Sequence, residues 1–180
     1  YATSNILGEQ AVMKGHSTNG MQTFIMRLSN SFGVPMSVDS NCWMLVLNDF
    51  CRQAATDRKI VIRSPSNNLR NFITLTDACL AIHYLVSLRA TSIRSTICNL
   101  GDKTRSLFDM ASTISKIYES EKNINLPILF LSEDSIPNSH LDFRSSFFQQ
   151  HNWQPKSNFK LELSELVSYC EINFRASSKK

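Results

Sequence analysis

Glycine is scarce in this 180-residue chain, and the five present (Gly8, Gly15, Gly20, Gly33 and Gly101) are nowhere spaced as GxGxxG. No glycine-rich strand-to-helix turn is therefore available to cradle a pyrophosphate. Long apolar runs are missing too: the longest, Cys42 to Phe50, is broken by Asn48 and Asp49, and a bilayer span needs roughly 20 apolar residues. The four histidines, His16, His83, His140 and His151, are scattered, with no HExxH and no histidine-cysteine cluster at zinc spacing. The five cysteines, Cys42, Cys51, Cys79, Cys98 and Cys170, are odd in number and form no CxxC. Cys42, Cys79 and Cys98 sit inside apolar runs, which reads as buried, reduced thiols in a cytoplasmic protein. The net charge of +4 comes from cations spread along the sequence, without the basic stripe and interleaved aromatics of a nucleic-acid surface. The chain opens on Tyr1 with no basic stretch followed by an apolar one, and is read as a piece of a longer protein.

What is present is enough for a core, with 42% hydrophobic residues and alternating helical and strand patterns. Helices are expected from Ser4 to about Lys14, ended by Gly15 and Gly20, from Cys42 to Ala55, from Thr76 or Asp77 to Ser87, from Ser106 to Glu119, from Asp142 to His151 and from Lys160 to Phe174. Strands are expected at Gln22–Leu28, Lys59–Arg63, Phe72–Leu75, Ser95–Leu100 and Pro127–Leu131, with turns over Ser29–Asn41 and Ser64–Asn68. Only Gln22–Leu28 and Ser95–Leu100 read as fully buried parallel strands. Two strands do not make a stable doubly wound sheet.

Four separated segments then carry a resemblance. Tyr1-Ala2-Thr3-Ser4-Asn5 with Gly8-Glu9, Arg27-Leu28-Ser29-Asn30-Ser31-Phe32-Gly33, Arg70-Asn71-Phe72-Ile73-Thr74-Leu75-Thr76-Asp77, and Ile97-Cys98-Asn99-Leu100-Gly101 followed by Asp142 and Trp153-Gln154-Pro155 appear in that order. Together they resemble the extended short-chain dehydrogenase/reductase family, in particular its NAD-dependent sugar-nucleotide epimerases and dehydratases, over nearly the whole chain. The departures are Asn5 where the family has lysine, Val34 before Pro35, and Asn71 in place of an acid.

The resemblance implies an α/β fold: the C-terminal part of a Rossmann-like parallel sheet (residues 1–35 and 94–120) with a small mixed α/β substrate-binding region (36–93 and 121–180), the sheet incomplete. It implies a fragment from the substrate side of an NAD(P)-dependent epimerase, dehydratase or reductase, whose parent binds NAD or NADP, takes a nucleotide-sugar and forms a homodimer through the first helix. The alternative is a non-catalytic nucleotide-sugar-binding pseudoenzyme, and a third possibility is a reductase of a non-nucleotide carbonyl.

Tyr1 stands at the catalytic and nicotinamide-side position, with packing as its plain alternative. A phenol of pKa near 10 is a poor base at neutral pH unless a cation lies nearby. Residues four apart on a helix share a face, so Asn5 occupies the place of that cation. A unit charge about 4 Å away contributes about 4 kcal/mol at an effective dielectric of 20, which would lower the phenol's pKa by about three. Asn5 supplies none of this, nor the ribose contact that the family's lysine makes, and Lys14 is roughly 20 Å along the helix from Tyr1. Asn30, at a strand's C-terminal edge, is implied to donate to the diphosphate or sugar, or else completes a turn. Arg70 is implied to clamp the diphosphate, a role suited to a permanently charged fork of donors, or else makes a surface salt bridge. Arg27 and Asp77 are read as structural, as are Phe24-Ile25-Met26, Trp43-Met44-Leu45 and Trp153.

Overall fold

A computed structural model of the chain describes residues 2–19, 22–65, 68–88, 96–131 and 140–175. Six helices and seven short strands alternate: α1 (Ala2–Asn19), β1 (Phe24–Leu28), β2 (Asn30–Phe32), α2 (Val46–Asp57), β3 (Ile60–Ile62), β4 (Leu69–Thr74), α3 (Leu75–Ser87), β5 (Thr96–Leu100), β6 (Lys103–Ser106), α4 (Leu107–Lys122), β7 (Ile128–Phe130), α5 (Ser146–Gln150) and α6 (Phe159–Phe174). They form three small open sheets. β1 pairs in parallel with β5, β3 in parallel with β7, and β4 lies between parallel β2 and antiparallel β6.

Two apolar clusters hold these elements. The larger joins α2, α4 and α6 to β3 and to Phe32 and Phe72 of the three-stranded sheet. The smaller packs α3 and α5 on β1 and β5 through Ala78, Ala81, Leu85, Cys98, Leu100 and Phe148, with Trp153 as a partly buried anchor against Phe148. A polar knot reinforces the larger cluster: buried Tyr118 donates to Glu171 Oε1 (2.7 Å), and Arg58 forks onto the same carboxylate. Burial opposes charge on Glu171, yet the hydrogen bonds from Arg58 and Tyr118 hold its carboxyl below the usual range.

Several sequence expectations shift. α1 runs through Gly15 to Asn19, since a single glycine costs a helix only about 1 kcal/mol relative to alanine and does not by itself end it. Most of α1 is exposed, including Ile6 and Leu7. The apolar run before α2 does not join the helix: Met44 is 88% exposed, whereas Trp43 folds back onto Tyr169 and Phe174. Of the three thiols expected to be buried, Cys98 is, Cys42 is half-buried and Cys79 is exposed; Cys51 and Cys170 are the other buried ones. β1 is less enclosed than a doubly covered strand: Ile25 is buried, but Arg27 and Leu28 are exposed. No helix among the described residues is long and apolar enough to cross a membrane.

Candidate functional site

The site is assembled where β1 ends, β2 begins and β4 runs beside it. At the end of β1, Arg27 forks onto Glu9 of α1, with Nε at 2.8 Å and Nη2 at 2.7 Å. The guanidinium's hydrogen bond holds the Glu9 carboxyl below its ordinary value, although both groups face solvent. Both residues line a groove of about 660 Å³ between α1 and β1, which Asn5 and Gly8 also line. Tyr1 lies outside the described residues.

Ser29 joins the two sheets, its amide donating to the Leu100 carbonyl at 2.9 Å. Asn30 then opens β2 in register with Phe72 of β4, and its Nδ2 donates to the Asn71 carbonyl at 3.0 Å. Asn30 is therefore a strand residue rather than part of a turn, and one of its donors is committed to the neighbouring backbone.

Arg70 is half-buried on β4, two residues before Phe72, so the fold brings it to the strand next to Asn30. Its Nη1 donates to the Leu69 carbonyl at 3.1 Å. Directly across the antiparallel ladder stands Arg105 of β6, whose Nη1 donates to the Thr104 carbonyl at 3.3 Å. Among the described residues neither guanidinium has a carboxylate partner, so the salt-bridge alternative for Arg70 finds none there. Like charges directly opposite on a ladder are destabilising, and an anion between them would offset that cost. Sequence reasoning missed Arg105. Lys103-Thr104-Arg105-Ser106 contains no apolar residue, and its strand is set by pairing with β4, so no local signal marks it.

The residues beneath this surface are structural. Asn71 is buried, its Nδ2 donating to Thr104 Oγ1 at 3.1 Å, while its Oδ1 has no hydrogen-bond partner among the described residues. That oxygen lies against Gly101, where a Cβ would come within 2.0 Å of it. The N-cap of α3 is Thr74, not Thr76 or Asp77: Thr74 Oγ1 accepts from the Asp77 amide and donates to Asp77 Oδ2. Asp77 instead reaches across to the turn after Trp153, accepting from the amides of Lys156 and Ser157 and from the Ser157 hydroxyl.

The α1–β1 groove does not fit a nicotinamide dinucleotide by itself. Arg27 is a cation lining it, but Glu9 neutralises it, and the position four residues after Tyr1 carries a neutral amide. Such a donor set makes no cradle for a pyrophosphate. Among the described residues no group of three or more His, Cys, Asp or Glu side chains is placed to hold a metal ion.

Comparison with solved structures gives the same architecture in larger enzymes. RMD from Pseudomonas aeruginosa, complexed with NADPH, superposes with a TM-score of 0.77 at 16% identity, over 96% of this chain and 56% of that one. The Thermus thermophilus UDP-glucose 4-epimerase complex with NAD gives 0.69 at 16% identity, over 94% of this chain and 53% of its own. The dTDP-glucose 4,6-dehydratase from Bacillus anthracis in complex with NAD gives 0.67 at 17%, over 92% and 50%. The chain thus spans about half the length of these structures, which establish a Rossmann-like α/β fold with its sheets open. A comparison with curated proteins finds no match. Residues 1–101 match the model of the NAD dependent epimerase/dehydratase family, and with more than half of its length so matched, the chain belongs to that family.

Proposed function

We propose that the chain is the substrate-side part of an NAD(P)-dependent sugar-nucleotide epimerase, dehydratase or reductase, and that Asn30 and Arg70 grip the nucleotide-sugar. The observation that carries this is the pair of half-buried and exposed guanidiniums, Arg70 and Arg105, facing each other across β4 and β6 beside Asn30 without a carboxylate partner among the described residues. A diphosphate supplies the missing counter-charge and accepts from both forks. Residues 1–35 and 94–120 belong, in this reading, to the cofactor-side sheet, and residues 36–93 and 121–180 to the substrate region. The edge of β1 away from β5 has no strand partner among the described residues, which agrees with a sheet continued by further strands of a larger parent. That parent would hold NAD or NADP and pair as a homodimer through α1, whose Ile6, Leu7, Val12 and Met13 are exposed.

The test is calorimetric titration of the 180-residue chain with UDP-, GDP- and dTDP-sugars. At least one should bind saturably, and Arg70→Ala should weaken it by about 10- to 100-fold, as loss of a charge-assisted fork does. Unchanged affinity in Arg70→Ala would point to a carbonyl substrate without a nucleotide.

Asn5 supports a second reading, in which the protein binds nucleotide-sugar without redox turnover because the position four residues after Tyr1 carries a neutral amide in place of a cation. In the full-length protein, Asn5→Lys should then raise NAD reduction from background. Robust turnover by the wild type would sink this reading.

A further inference from the structure

β6, α4 and the first turn of α6 enclose an open groove of about 650 Å³ that neither Asn30 nor Arg70 lines. Four cations converge on it from three separate elements: Lys103 and Arg105 on β6, Lys116 on α4 and Lys160 on α6. Asp109 is the one carboxylate in its lining that faces the Ser106 amide, 3.4 Å away, within the capping box of α4. Among the described residues none of the four cations forms an ion pair. Lys103 is held against the groove wall, its Nζ 5.2 Å from the centre of the Phe159 ring.

Charged side chains on β6 alone would be explained as guards of a sheet edge, since β6 pairs only with β4 among the described strands. That explanation does not reach Lys116 and Lys160, which come from two helices on the far side of the groove. Asp102 offsets part of the charge of Lys103 and Arg105, but cations in excess of carboxylates in a concavity repel one another and focus a positive potential there, a cost that a multivalent anion reverses. The volume lies in the range that holds small organic ligands. Lysine ammonium groups act as point charges suited to phosphate oxygens, and their number matches a ligand with several of them.

We propose that this groove is a second anion site, which takes a small organic ligand carrying two or more phosphate groups. It shares Arg105 with the Asn30–Arg70 surface and is distinguished from it by Lys116 and Lys160, which are not part of that surface.

The probe is inorganic pyrophosphate, titrated calorimetrically into the 180-residue chain at low salt. Saturable one-to-one binding is expected, weakening as salt rises. The Lys116→Glu/Lys160→Glu pair should weaken it by about ten-fold or more, and Lys116→Ala/Lys160→Ala, which leaves no new carboxylate in the groove, should weaken it less but measurably. Arg70→Ala should leave it within about two-fold, as should the control pair Lys14→Glu/Lys59→Glu, which changes net charge equally at exposed sites elsewhere. Absence of saturable binding overturns the proposal. So does an equal loss in the control pair, which would mean bulk charge alone, or a loss in Arg70→Ala that the groove variants do not show, which would place the anion at the other site.

Discussion

Replacing Asp77 with alanine is expected to cost about 3 kcal/mol and to lower the melting temperature by about 6 to 12 °C. Asp77 is 1% exposed, and its carboxylate ties two distant parts of the chain. Oδ2 accepts from the Thr74 hydroxyl at the start of α3, at 3.0 Å, and from the Ser157 hydroxyl; Oδ1 accepts from the Lys156 amide at 2.8 Å and the Ser157 amide at 3.2 Å. Truncation leaves the two backbone donors without that acceptor and loosens the turn that seats Trp153 against Phe148. The same carboxylate gives the prediction a pH signature. Burial pushes its pKa up, but the Ser157 hydroxyl, the two backbone amides and the Thr74 hydroxyl outweigh burial and hold it below the ordinary value. A carboxyl depressed in the folded state contributes stability that is complete above its unfolded pKa of about 3.9 and is lost as pH falls through the lower folded value. The difference in urea midpoint between wild type and Asp77→Asn should therefore be constant above about pH 5 and shrink below about pH 4. A difference that stays constant down to pH 3 would remove the carboxylate's charge from the account.

The expectations that held and those that did not divide on where the stabilising contacts come from. Helices α4 and α6 were legible because their apolar spacing and their caps, Ser106 and Asn158, lie in adjacent sequence. β2 and β6 were not. Asn30–Phe32 lies in a stretch of turn formers, and Lys103–Ser106 contains no apolar residue, so both are strands only because β4 pairs with them from either side. Ladder pairings between residues 31 to 42 apart leave no local periodicity to read. The same blindness covered one of the three residues of the candidate site: Asn30 and Arg70 stood out through their motif context, whereas Arg105 acquires meaning only from its register opposite Arg70. At the start of α3, Thr74 takes the cap because the strand ends there in an extended conformation, and Asp77 is left free to serve the longer-range turn.

Gly33→Ala is expected to destabilise the fold by about 3 kcal/mol and to weaken the proposed nucleotide-sugar binding with it. Gly33 follows β2 with φ near 157°, and a Cβ built there would lie 2.7 Å from the Cβ of Leu75, the first residue of α3. The clash has no cheap release. A side-chain end can rotate away, but Leu75 Cβ is fixed to the helix backbone, and α3 is pinned by the Thr74 cap and by Asp77. Relief therefore requires the end of β2 to move away from α3, which strains the pairing of Phe32 with Thr74 and, two residues back, the seating of Asn30 on the Asn71 carbonyl. The glycine of the Asn-x-aromatic-Gly segment is thus a packing requirement that lets a strand end and a helix start share one place. Thermal melting and nucleotide-sugar titration of Gly33→Ala, with Gly8→Ala as the comparison, test this directly. A Cβ at Gly8 meets nothing within 4 Å, and exchanging glycine for alanine within a helix should stabilise it by up to about 1 kcal/mol. Equal melting temperatures for the two variants would show that the β2–α3 junction yields more easily than its packing implies.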